Sequence, residues 1–298
     1  MLKQNCLPLV WIASACALVA ADQKAESPVM AYRYTAETGE VRALLGVPGA
    51  ARWSDPISGL LPEGTTAVRI APGHRWALIS KGTEESGILL LDTGVYKALS
   101  RPIADLDRAI FSPSARSMAV LVDGTATVFT GLPESVTEAR QESIGDGVYA
   151  LSDSGVSALV RDSRVTRGTD DAGPCIDCIF SFGANSDVLV IFSKATGDLV
   201  EFTAEGRTIA GGIDTAERLA VTNAGVLLLT REGMRLYDRQ TGTLLGEQPL
   251  AAVSQKIELL RQRGDVVFAT ERGGASWMLS ASGEVKAIPA VGDRKVEE

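Results

Sequence analysis

AIFSPSARSMAVLV, residues 109–122, reads as a short apolar strand, a tight turn of small and polar residues, and a second strand rich in aliphatic side chains. The same pattern recurs as VRIAPGHRWALIS (68–80), YALSDSGVSALV (149–160), FSFGANSDVLVIF (180–192), LAVTNAGVLLLT (219–230) and ELLRQRGDVVFAT (258–270). The reference positions Ile70, Phe111, Leu151, Phe182, Val221 and Leu260 lie 41, 40, 31, 39 and 39 residues apart. In a chain of short strands a fixed period decides the fold before any motif does.

A second turn accompanies the first and carries Thr-Gly or Ser-Gly: Thr38-Gly39, Thr93-Gly94, Thr196-Gly197, Thr241-Gly242 and Ser282-Gly283. Glycine supplies the positive φ that such hairpins need, so each unit reads as two hairpins, or four strands. Four strands at a period near forty make one blade of a β-propeller, a twisted antiparallel sheet packed face to face on its neighbours. Helical repeats of this length need apolar residues at three- and four-residue spacing, which are missing. The reading is therefore an all-β chain, a β-propeller of six to seven four-stranded blades preceded by a signal peptide.

The turns in residues 109–116 (AIFSPSAR) and 69–75 (RIAPGHR) resemble the Phe-Ser-Pro-Asp-Gly-Arg turn of bacterial WD40-like repeats of the TolB and YVTN types. Two units carry the resemblance clearly and four more loosely, and Ser-Ala and Gly-His replace the family's Asp-Gly. The resemblance implies the propeller and transfers no particular activity.

Six units start between residues 65 and 256, and residues 31–45, with Thr38-Gly39 at their centre, read as one more outer hairpin that completes a seventh blade or closes the ring. In the short third unit, residues 161–174 read as a loop that has replaced a strand. The chain divides into a signal peptide (1–21), a propeller domain (22–290) and a charged C-terminal tail (291–298).

Lys3, the apolar stretch 7–19 and the small residues Val19-Ala20-Ala21 before Asp22 have the order of an export signal, with cleavage after Ala21. Residues 13–16, Ala-Ser-Ala-Cys, loosely match a lipobox, so lipid attachment at Cys16 is the alternative. Both put the body outside the cytoplasm, periplasmic or secreted in one case and anchored as a lipoprotein in the other. The formal charge of −8, from 37 acidic against 29 basic residues, disfavours nucleic acid as a partner.

With Cys6 and Cys16 in the leader, the mature chain keeps one pair, Cys175 and Cys178. A structural zinc needs four ligands and finds one histidine and no second cysteine pair, and c-type haem needs His where Ile179 stands. A thioredoxin-like pair sits at a helix N-terminus, whereas this one precedes a strand. That leaves a local disulfide, or two thiols pinning an irregular loop, with redox catalysis as the alternative. His74, the only histidine, lies in a turn with no nucleophile nearby in sequence, and Asp170, Asp171 and Asp177 form an acidic loop without EF-hand spacing. Trp53, Trp76, Trp277, Tyr32, Tyr34 and Tyr237 are spread over strands, as blade-interface core would be.

No catalytic residue, cofactor site or metal site emerges, and no cofactor is implied. The expectation is a noncatalytic scaffold in the cell envelope that binds an unidentified protein or small ligand at a propeller face, as a monomer or as a subunit of an envelope complex. The alternative is an extracytoplasmic propeller enzyme of lyase, lactonase or glycosidase type, with carboxylates or a metal at the central channel.

Overall fold

The computed structural model describes residues 28–46, 51–202, 206–222, 225–230 and 232–249, together with the strand backbone of 257–263, 266–271, 276–280 and 285–288. The expected leader 1–21, with Cys16, and the tail 291–298 lie outside the described residues.

An N-terminal sheet of three strands comes first: β1 (Val29–Thr35), β2 (Glu40–Leu45) and β3 (Arg52–Trp53). Six four-stranded antiparallel sheets follow in chain order. Blade 1 contains β4 (Ala67–Ile70), β5 (Trp76–Ser80), β6 (Ser86–Leu90) and β7 (Tyr96–Ala98). Blade 2 contains β8 (Ala109–Phe111), β9 (Ser117–Val122), β10 (Thr125–Thr130) and β11 (Thr137–Ser143). Blade 3 is β12 (Val148–Leu151), β13 (Ser157–Arg161), β14 (Arg164–Arg167) and β15 (Asp170–Pro174). Blade 4 is β16 (Cys178–Phe182), β17 (Leu189–Ser193), β18 (Asp198–Phe202) and β19 (Arg207–Ala210). Blade 5 is β20 (Arg218–Val221), β21 (Val226–Leu229), β22 (Gly233–Tyr237) and β23 (Leu244–Pro249), and blade 6 is β24 (Ile257–Arg263), β25 (Val266–Glu271), β26 (Ser276–Ser280) and β27 (Val285–Ile288). No described helix is long and apolar enough to cross a membrane.

The first strands of blades 2 to 6 lie side by side around the centre, and β1 stands beside β4 in the same way. Strand periodicity explains why the second strand of a blade is apolar on both faces. In β5, Trp76 and Leu78 pack toward blade 2, while Ala77 and Ile79 pack toward the N-terminal sheet. In β17, Leu189 and Ile191 enter the core shared with blade 3, and Val190 and Phe192 the core shared with blade 5. Blades 1 and 4 thus bury both of their surfaces, and truncating one such residue, Phe192→Ala for example, costs about 3–5 kcal/mol by the usual cavity penalty.

A recurring hydroxyl fixes the first turn of three blades. Ser112 Oγ accepts the N–H of Ser117 at 3.0 Å, Ser152 Oγ that of Val156 at 2.9 Å, and Thr222 Oγ1 that of Gly225 at 3.1 Å. These side chains take over backbone donors that a turn inside the ring would otherwise leave unpaired.

Three expectations are corrected. Residues 161–174 have lost no strand: β14 and β15 are present, and blade 3 is short at its outer turn, which is only Gly168-Thr169. The hairpin at residues 31–45 is not an outer one, since β1 lies at the centre beside β4 and β3 completes a three-stranded sheet. Thr93-Gly94 and Thr241-Gly242 join third to fourth strands, but Thr196-Gly197 joins the second strand of blade 4 to its third. Ser282-Gly283 falls outside the described residues.

Candidate functional site

Antiparallel order puts the first-to-second and third-to-fourth turns of every blade on one face of the ring, and the remaining turns and interblade connections on the other. On the first face, the inner turns of blades 1 to 4 border a cleft of about 600 Å³ with Gly73, Ser114, Asp153 and Asn185 along it. Blade 2 adds residues 131–135 of its outer turn, and Arg75, Arg116 and Trp76 complete the lining.

Hydrogen bonds from turn to turn hold the cleft in shape. The carboxylate of Asp153 accepts the backbone N–H of Ser114 at 2.8 Å through one oxygen and that of Asn185 at 2.6 Å through the other. The Asp153 carbonyl accepts the Ser117 hydroxyl at 3.0 Å, and Ser154 donates to Asp187 at 2.5 Å. Trp76 donates its indole N–H to the Ala115 carbonyl at 3.1 Å and meets Phe111 edge to face at 5.4 Å. At the rim Arg75 pairs with Glu134 at 3.3 Å, and Lys97 Nζ donates to the carbonyls of Pro133 and Glu134, tying the outer turn of blade 2 to blade 1.

The ring's centre has a different chemistry. A cavity of about 150 Å³ there is lined, among the described residues, by Phe111, Ser112, Leu151, Ser181, Phe182 and Val221 with other apolar side chains, and by no described acid or base. The buried carboxylate of Glu201 lies elsewhere, between Arg207 at 2.9 Å and Arg239 at 3.3 Å, where it joins blades 4 and 5. Beside blade 3, the hydroxyl of Tyr149 is held well above its ordinary pKa by burial and by Glu142, to which it donates at 3.3 Å. Between blades 1 and 2, Arg69 donates to the Leu106 carbonyl at 2.6 Å over the ring of Phe111, and burial lowers its pKa from the usual guanidinium value.

Residues singled out from the sequence are dispersed. Cys175 and Cys178 form a disulfide in the connection from blade 3 to blade 4, on the face opposite the cleft. Asp171 pairs with Arg164, and Asp177 with Lys194 at 3.1 Å, so the acidic loop is taken up by ion pairs. Among the described residues no three His, Cys, Asp or Glu gather as a metal site. His74 is buried in its turn with a left-handed φ of 53°, its Nδ1 against the backbone N–H and C=O of Tyr32 at 3.2 and 3.1 Å. Tyr32 and Tyr34 pack between the N-terminal sheet and blade 1, Trp76 between blades 1 and 2, and Tyr237 between blades 4 and 5. Trp53 packs on the other side of the N-terminal sheet, and the side chain of Trp277 lies outside the described residues. The cleft residues Arg116, Glu134, Asp153 and Asn185 went unmarked in the sequence reading. The signal was there in the arginine that closes both PGHR (72–75) and PSAR (113–116).

No family model matches the chain, and no curated protein is similar to it in sequence. Among solved structures it is similar to PorZ of Porphyromonas gingivalis, described as an essential bacterial surface component of the type-IX secretion system, with 11% identity and a TM-score of 0.56 over 89% of this chain and 38% of that one. It is similar to Hsv2 of Kluyveromyces marxianus, with 12% identity and a TM-score of 0.50 over 85% of this chain and 92% of that one. The C-terminal WD40 domain of Sif2 matches 86% of this chain by 82% of its own, with 12% identity and a TM-score of 0.49. At such identities the likeness shows the fold alone, and that fold is a β-propeller.

Proposed function

We propose that this chain is an exported, noncatalytic scaffold that binds a protein partner through the face carrying the first-to-second-strand turns. The leader at residues 1–21, or lipid attachment at Cys16, delivers it to the cell envelope, and residues 22–290 are the propeller that does the binding. The observation that supports this reading is the cleft across blades 1 to 4, in which the Asp153 carboxylate fastens the inner turns of blades 2, 3 and 4 to one another. A binding surface fixed in advance loses little conformational entropy when its partner arrives. The competing reading, an enzyme with carboxylates at the channel, gains no support from the apolar and hydroxyl side chains found there. The affiliation with bacterial TolB-type and YVTN-type repeats belongs to the same proposal and rests on the turn motif.

Site-specific photocrosslinking in the producing cell tests the scaffold reading. A crosslinker at Ser135, exposed at the cleft, is expected to give a discrete adduct, and one at Ser163, exposed on the opposite face, to give none. Adducts at neither position, from folded and exported protein, would overturn it. Intact mass of the mature protein tests export: it is expected to start at Asp22, or at an acylated Cys16.

A further inference from the structure

Arg75 and Arg116 occupy one position of the repeat. Each is the last residue of its inner turn, directly before the second strand of its blade, and each backbone carbonyl accepts one N–H from the outer turn of that blade, from Leu91 and Leu132 respectively, both at 3.0 Å. Their side chains meet different surroundings. Arg75 pairs with Glu134, which stands on the six-residue outer turn of the next blade, residues 131–136. For Arg116 the next blade is blade 3, whose outer turn is only Gly168-Thr169 and carries no acid. Asp170 follows that turn, yet Arg116 has no ion pair with it or with any other described residue. The remaining carboxylate of the cleft, Asp153, has each oxygen engaged by a backbone N–H. The shortening of blade 3 thus removes the wall that would have supplied a carboxylate and leaves an exposed guanidinium facing a cleft that runs across four blades.

We infer that Arg116 is the anchor for a carboxylate that a partner protein brings on an extended, Asp- or Glu-bearing segment lying in this cleft. The inference rests on the binding reading above and names the chemistry of its partner. The Arg75–Glu134 pair is the intrachain version of the contact, and the planar guanidinium fork suits a carboxylate held by two N–H donors. An opening bordered by the turns of four successive blades suits a peptide better than a compact solute. The formal charge of −8 repels an acidic peptide in general, so binding of one reports a local site.

The test uses the full chain and a fluorescent, blocked hexaglutamate peptide at low salt, with hexaglutamine as the uncharged probe and circular dichroism as the check of folding. Hexaglutamate is expected to bind and hexaglutamine not to. Arg116→Gln is expected to weaken binding at least tenfold, Arg116→Lys to weaken it less, and Arg101→Gln, which removes an exposed arginine paired with Glu138 outside the cleft, to change nothing. Equal binding of the two peptides, or unchanged binding by folded Arg116→Gln, overturns the inference. If the Ser135 crosslinker still yields its adduct in that case, the scaffold reading stands and only the carboxylate chemistry falls.

Discussion

The carboxylate of Asp153 takes the backbone N–H of Asn185 at 2.6 Å, one blade away, while its other oxygen takes Ser114 on the opposite side at 2.8 Å. One side chain therefore fastens three inner turns. Such charge-assisted hydrogen bonds are stronger than neutral ones. Asp153→Ala leaves two turn N–H groups to water and is expected to destabilise the fold by about 1–3 kcal/mol. Asp153→Asn keeps one acceptor oxygen and should fall between. Urea unfolding midpoints of the three proteins check the order; a parent-like Asp153→Ala would mean that the turns hold their places without it.

Blade 3 makes its second-to-third-strand turn with Asp162 and Ser163, at left-handed φ values of 51° and 59°. L-residues pay sterically for that conformation, and Asp-Gly or Asn-Gly is the favoured pair for a turn of this type. Ser163 is exposed, and its carbonyl bond to the N–H of Cys175 at 2.8 Å belongs to the backbone. Ser163→Gly is therefore expected to stabilise by roughly 0.5–1 kcal/mol, while Ser163→Val, β-branched at positive φ, destabilises by a similar amount or more. Thermal melts of both variants measure it, and a gain for Val would contradict the turn geometry.

Those two residues also show why part of the fold escaped the sequence. The repeat was legible because turn chemistry recurs: Ser112, Ser152 and Thr222 stand at one position of three blades, each accepting from its own turn. Asp162-Ser163 contains no glycine, so a tight hairpin looked like loop, and a shortened unit looked like a lost strand. Thr-Gly serves either hairpin of a blade, so Thr196-Gly197 does not say which strands it joins. The interest of Arg116 lies in the length of a turn in the neighbouring blade, more than fifty residues further along, and no local pattern around Arg116 registers that.

Acid sensitivity follows from Asp238 and Asp171. Backbone N–H groups of Thr241 and Gln240, at 2.7 and 2.8 Å, hold the Asp238 carboxyl below its ordinary value, as Arg164 and the Gly173 N–H do for Asp171. A carboxyl depressed in the folded state adds stability that is fully present above its unfolded pKa, about 3.9, and is lost as pH falls through the lower folded value. Stability is therefore expected to be level near neutrality and to drop below about pH 4. Asp238→Asn keeps an oxygen for the same turn and has no charge to lose, so its deficit against the parent should shrink as pH is lowered. Urea titrations at pH 7 and pH 3 decide, and a deficit that widens in acid would reverse the assignment.

Cys175 and Cys178 are joined with their Cα atoms 5.4 Å apart, Cys175 buried against Phe182 and Leu189 and the connection from β15 to β16 closed into a small ring. Closing a short loop removes little freedom from the unfolded chain, so the bond contributes at the low end of the usual disulfide range, about 2 kcal/mol. Its place, on the face opposite the cleft and at the entry to blade 4, makes it a brace for the β16 edge that carries Phe182 into the channel. A nonreducing peptide map of protein from the producing cell is expected to find the two cysteines bonded to each other. Reduction should lower the melting temperature by a few degrees, on the order of 2–4 °C for about 1–2 kcal/mol in a domain of this size, and leave hexaglutamate binding at the cleft unchanged. Two free thiols in that protein would remove the brace, and loss of peptide binding on reduction would show that the two faces are coupled through blade 4.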